Sequence, residues 1–162
     1  MNKKIIIFIT TLSIMSSIEV NSDDSSINQH QKQYEDIAMK IWELAEVGYQ
    51  EYESSKLLID SLKGHDFEIT EGVADIPTAF IAEYGTGYPT VAILGEFDAL
   101  PGVSQSSSPY RENGSNENAG HACGHHLFGA GSAWTAVAVK DWMKNNNIKG
   151  TIRFYGDRKS VV

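Results

Sequence analysis

The sequence predicts an α/β protein whose sheet is at least partly parallel, on three observations. An apolar run, Thr90-Val91-Ala92-Ile93-Leu94, is followed by a helical pattern from Gly124 and then by a strand-like run from Thr151 to Tyr155. Strand, helix, strand in that order forms a βαβ unit, whose crossover joins parallel strands. Ahead of it lie two amphipathic helical segments, each needing an apolar surface to cover. The length of 162 residues suits about one domain, and 41% apolar content with 4 prolines is that of a globular chain. A formal charge of -8 argues against nucleic acid or an anionic membrane as partner, and a single cysteine excludes an intrachain disulfide.

The two ends differ from the body. Lys3 and Lys4, the apolar run Ile5 to Ile9 with Leu12, Ile14 and Met15, and a polar stretch from Asn21 have the order of a secretory signal peptide. Residues 1–22 are therefore expected to be an export signal, cut after Ser22, and the mature protein to be periplasmic or extracellular with no membrane contact. A buried N-terminal strand is the alternative. At the other end, Asp157-Arg158-Lys159-Ser160-Val161-Val162 is the frame translation of a common sequencing adapter, GATCGGAAGAGCGTCGTG, whose next triplet is a stop. The natural product is expected to continue beyond Gly156, so residues 23–156 form the body.

Within that body, Tyr34, Ile37, Ile41 and Leu44 recur at helical spacing, widened by Ala38, Trp42 and Ala45, which predicts a helix from about Ile27 to Val47 ended by Gly48. Leu57, Leu58 and Leu62 carry a second helix, about Tyr52 to Lys63, with Gly64 at its C-terminal cap. Phe67 to Thr70 and the alternating Thr78 to Tyr84 read as strands, and the Gly85 to Pro89 segment turns the chain into Thr90 to Leu94. The last run is apolar on both faces, as in an interior strand of a covered sheet. Pro101 to Gly120 is rich in Ser, Asn and Gly and reads as a functional or disordered loop. From Gly124, Leu127, Ala130, Trp134, Val137 and Met143 mark a helix face, with small residues allowing close packing on a sheet, and Asn145 to Asn147 end it.

Two clusters carry chemistry. His121-Ala122-Cys123-Gly124-His125-His126 holds three of the five histidines and the only thiol. On an extended segment Cys123 and His125 project to one side as metal ligands, and the start of the following helix favours a thiolate. A cysteine that merely fills space among helix-capping histidines is the plainer alternative. The second cluster, Gly95-Glu96-Phe97-Asp98-Ala99-Leu100-Pro101, follows the strand at the sheet edge where open α/β folds bind ligands. Glu96 and Asp98, two apart, share a face and can supply metal oxygens or hold a liganding histidine.

GEFDALPGVSQ (Gly95 to Gln105) together with NAGHACGHHLFGAGSAW (Asn118 to Trp134) resembles the metal-dependent amidohydrolases of the aminoacylase and carboxypeptidase metallopeptidase superfamily. The branch containing p-aminobenzoyl-glutamate hydrolase is nearest, with auxin-conjugate hydrolases as relatives, and the likeness extends over about Gln33 to Gly156. It implies a three-layer, mostly parallel or mixed sheet with flanking helices, the N-terminal part of a zinc-peptidase-like catalytic domain without its lid and dimerisation domain. It also implies Cys123 and His125 as ligands of one or two divalent ions, zinc or manganese. Asp98 matches an aspartate that supports a liganding histidine, Glu96 stands where distant relatives hold that histidine, and His126 stands where many have aspartate. His121 and His126, like Glu96 and Asp98, are candidates for coordination or for support of a ligand. The implied reaction is hydrolysis of the amide in a small N-acyl or p-aminobenzoyl amino acid by a homo-oligomeric protein, with a general-base glutamate expected beyond Gly156. A cysteine-dependent hydrolase and a non-catalytic metal-binding module are the rival classes.

Overall fold

Packing against the β-sheet is set by glycine, because a helix and a strand can approach closely only where no Cβ intervenes. In the computed structural model, which describes residues 24–114, 116 and 118–159, the helices are α1 (Asp24–Gln29), α2 (Gln31–Leu44), α3 (Tyr52–Gly64) and α4 (His125–Asn145). The strands are β1 (Glu68–Glu71), β2 (Phe80–Thr86), β3 (Thr90–Glu96), β4 (Leu100–Pro101), β5 (Ala119–Gly120) and β6 (Gly150–Asp157). The expected export signal lies outside the described residues. No helix among them is long and apolar enough to cross a membrane.

The main sheet has the order β1-β2-β6-β3 and is mixed: β3 runs parallel to β6, while β6 with β2 and β2 with β1 are antiparallel. The expected βαβ unit is therefore β3-α4-β6. Phe80, Ala82, Ile152 and Phe154 point from the sheet into a core shared with Ile37 and Ile41 of α2, Leu58 and Leu62 of α3, and Ala133 and Val137 of α4. Phe154 and Phe80 meet with ring centroids 5.6 Å apart, and Phe80 and Phe97 at 6.2 Å.

Helix α4 lies on β3 through two glycines. A Cβ at Gly129 would stand 2.7 Å from the Glu96 carbonyl oxygen, and one at Gly95 would stand 2.5 Å from the Phe154 ring. The buried stripe of α4 is His125, Gly129, Ala130, Ala133, Ala136, Val137, Lys140 and Met143. Leu127, expected on that stripe, is 62% exposed. The left-handed Gly124 (φ 74) that starts the helix turns His125 inward, so Leu127 and Phe128 fall on the outer side.

Other expectations shift for physical reasons. The first helix is two, broken at His30, and α2 stops at Leu44 because Ala45 turns left-handed (φ 44) with its N–H on Ile41 O. Gly64 remains helical. The positive φ after α3 falls on Asp66 (φ 64), and Phe67 N–H returns to Leu62 O. Strand β3 is not interior: among the described residues it occupies the outer position of the sheet, and Leu94 is 63% exposed. Helices α3 and α4 touch the sheet and each other, and α2 touches both, so the described helices share one sheet face. The ends of the loop that follows β4 are brought together by the β4–β5 pair and by Gly102 N–H to Asn118 O at 2.6 Å.

Two substitutions on α4 test the packing. Gly129→Ala is expected to destabilise by about 1–3 kcal/mol through forced separation of helix and strand, whereas Gly131→Ala, whose Cβ meets nothing within 4 Å, should be neutral or stabilising by up to about 1 kcal/mol. Urea denaturation of the two variants reads the difference; equal midpoints would contradict it.

Candidate metal centre

Strand β3 delivers Glu96 to the sheet edge, and its alternation continues one step further. Phe97 is fully buried in the core, so Glu96 and Asp98 stand on the opposite side. The segment is then pinned: Ala99 bridges Val47 in parallel and donates its N–H to Glu46 O at 2.7 Å. Glu46 is fixed in turn, its carboxylate accepting Ser54 N–H (2.8 Å) and Ser54 Oγ–H (2.6 Å) in the first turn of α3.

His125, the first residue of α4, meets both carboxylates. Its Nδ1 donates toward Asp98 Oδ1 and Asp98 O, each at 2.9 Å, and its Nε2 lies 3.3 Å from Glu96 Oε2. His125 and Asp98 are 4% and 1% exposed. A buried aspartate that engages Nδ1 fixes the ring orientation and leaves Nε2 as the coordinating nitrogen. Asp98 Oδ1 also accepts the Lys159 N–H at 3.0 Å. The structure thus brings Glu96, Asp98 and His125 together.

The remaining members of the histidine cluster are placed differently. The segment before α4 is a turn rather than an extended run, with Gly124 N–H on His121 O at 3.0 Å, so the expected same-side projection of Cys123 and His125 does not follow from an extended backbone. Cys123 is exposed on that turn. His121 is committed to capping: its Nε2 donates to Ile41 O at 2.9 Å, at the end of α2. Asn116 Nδ2 adds contacts to Leu44 O and Ala45 O at 3.4 and 3.3 Å. Burial, chiefly, pushes the His121 imidazole down to about 4, against the opposing pull of the bond to Ile41 O, which keeps the ring neutral near pH 7. His126 packs beside it with ring centroids 5.0 Å apart, its pKa also lowered, first by burial and then by His125.

Sequence reasoning missed Glu51. Its carboxylate is fully buried, accepts Thr78 Oγ1–H at 2.9 Å, and is held above the usual carboxylate range mainly by burial. Nothing local marks it, since it lies in a polar run between helices.

Among the described residues no three His, Cys, Asp or Glu side chains converge closely enough to hold an ion. The donors that do fit a divalent metal are the oriented Nε2 of His125 and the Glu96 carboxylate facing it. Cys123, one residue before the left-handed glycine, could add a soft ligand from the same turn.

Removing the aspartate separates hydrogen bonding from charge. Asp98→Asn keeps an acceptor for the buried Nδ1–H and should cost little. Asp98→Ala removes the side-chain acceptor of the Nδ1–H and of Lys159 N–H, leaving the backbone O of residue 98 to the ring, and should cost about 0.5–1.5 kcal/mol. Chemical denaturation of both variants ranks them, and equal stabilities would argue against the bond.

No protein-family model matches the chain. It is 41% identical over 135 residues to one subunit of the p-aminobenzoyl-glutamate hydrolase of Escherichia coli K12, covering 82% of this chain and 28% of that protein. It is 36% identical over 110 residues to thermostable carboxypeptidase 2 of Saccharolobus solfataricus, covering 65% of this chain and 27% of that one. The chain therefore spans little more than a quarter of these relatives. Among solved structures, a dinuclear metal-binding peptidase of the M20 family from Bacillus subtilis superposes with a TM-score of 0.66 at 27% identity, over 80% of this chain and 35% of that one. The mixed sheet with flanking helices, the sequence identity to these hydrolases and this structural match together place the chain in the M20 family of peptidases and amidohydrolases.

Proposed function

We propose that the whole protein hydrolyses the amide bond of N-acyl or p-aminobenzoyl amino acids with a divalent metal cofactor. The observation that carries this reading is His125 held by Asp98 with its Nε2 turned toward Glu96. The likeness to the Escherichia coli p-aminobenzoyl-glutamate hydrolase supports the substrate class.

In this reading Cys123 and His125 hold the ion, zinc or manganese, in a centre of one or two metals, with Glu96 as a further oxygen donor. Thiolate softness favours zinc. When bound, the metal polarises the scissile carbonyl and acidifies a water. Asp98 keeps the His125 ring in register and raises its basicity as a ligand. His121, neutral and tied to Ile41 O, holds the turn against α2 rather than coordinating. Proton transfer belongs in this reading to a general-base glutamate. The remaining parts of the reading are export by residues 1–22, a small-molecule substrate and a homo-oligomeric whole protein.

The complete gene product, assayed on p-aminobenzoyl-glutamate and on N-acyl amino acids, should release the free amino acid. A chelator should abolish turnover and zinc or manganese restore it, and Asp98→Asn should weaken metal affinity about 10–100-fold. Turnover that survives chelation sinks the metal reading. Inactivation by thiol alkylation with the metal retained would instead favour a cysteine nucleophile.

A further inference from the structure

Two of the five histidines lie outside the motif, far apart in sequence, and the fold brings them into contact. His30 is the residue between α1 and α2, and His65 follows the end of α3. Their rings meet edge to face, centroids 4.5 Å apart. His30 Nε2 lies 3.5 Å from Asp141 Oδ2 of α4. His65 Nε2 lies 3.4 Å from Gln33 Oε1 of α2. From Gln33 a chain of bonds crosses to α3: Gln33 Nε2 donates to Ser61 Oγ at 3.1 Å, and Ser61 Oγ–H to Tyr34 OH at 3.0 Å. The Tyr34 ring stacks near His65 on one side and Trp134 on the other, and Trp134 Nε1–H donates to Ile27 O of α1 at 2.9 Å.

We propose that this contact is an acid-sensitive latch, in which neutral His65, packed on His30, holds α1 and the first turns of α2 against α3 and α4, and protonation of His65 releases them.

The charges around the pair explain the threshold. Asp141 faces His30, but the same carboxylate already pairs with Lys140 Nζ at 2.8 Å. Lys140 is buried, with its ammonium 5.9 Å from the Tyr84 ring centroid. On α3, Lys63 is engaged with Glu71 at 3.1 Å. A proton on His65 therefore places a cation against the His30 ring and within the influence of Lys140, with Asp66 and the shared Asp141 as the opposing carboxylates. Burial first, then His30 and Lys140, hold the His65 imidazole below its ordinary value, and Asp141 and Asp66 only partly oppose this. A base whose folded pKa is lowered binds fewer protons folded than unfolded, so the contact weakens as pH falls below about 6.5. The latch lies against the outer part of α4 and uses none of Glu96, Asp98 or His125, so it stands independently of the hydrolase reading.

Hydrogen–deuterium exchange on the 162-residue chain, corrected for intrinsic rates, tests this. Between about pH 7.5 and about pH 5, amides of residues 27–37 should lose protection. Those of β6 should keep theirs. His65→Gln retains a partner for Gln33 and should abolish the step; the same loss in that variant, or equal loss in β6, overturns the proposal. If the variant does not fold, ring-proton titration of the unaltered chain decides. Mutual displacement of the His30 and His65 titrations supports the latch, and independent titration refutes it.

Discussion

The contact on which the rest depends is the approach of α4 to β3 at Gly129 and Gly95. With a Cβ excluded at 2.7 Å from Glu96 O, helix and strand come together backbone to backbone, and the first residue of the helix falls beside the last residues of the strand. That single juxtaposition converts two motifs separated by a long loop into one constellation. A wider helix–sheet spacing would still bury the apolar stripe, but it would carry the His125 ring out of reach of Asp98. The small residues along α4, Ala130, Ala133 and Ala136, are buried for the same reason and continue the close seam.

The site is further coupled to α2 through helix-end chemistry. A helix leaves its last carbonyls without internal partners. Here the partners come from the loop and turn around the site, His121 on Ile41 O and Asn116 on Leu44 O and Ala45 O. Within the long Ser- and Asn-rich segment, Ser104 Oγ–H donates to Asn116 O and Gly114 N–H donates to Ser104 Oγ at 2.9 Å. The chain around the cysteine is held by α2 on one side and α4 on the other, which keeps Cys123 at the surface of a fixed turn.

The family is one of peptidases and amidohydrolases, and the described residues hold one oriented imidazole, the buried aspartate that orients it, and a facing carboxylate. Histidines that look alike in sequence divide into different tasks. His125 coordinates in the proposed reading, His121 caps a helix, and His30 and His65 join helices at a corner remote from the site.

The pattern of apolar residues determined the α/β class, the βαβ unit and the helix identities. The two clusters, by their residue types and spacing, marked Glu96, Asp98 and His125 as candidates, and the fold set the three in contact. The apolar pattern and the clusters are local features, set by periodicity and by which side chains can bind. What only the tertiary structure decided depends on partners distant in the chain. The break at His30 coincides with contacts to α3 and α4. The end of α2 at Ala45 lies where Asn116 and His121 take up the carbonyls. The outward turn of Leu127 follows from a left-handed Gly124, and the burial of Glu51 from Thr78. A one-dimensional pattern records which face of an element is apolar, but not what stands opposite it, and it is the opposing element that satisfies a carbonyl, buries a carboxylate or sets one histidine against another.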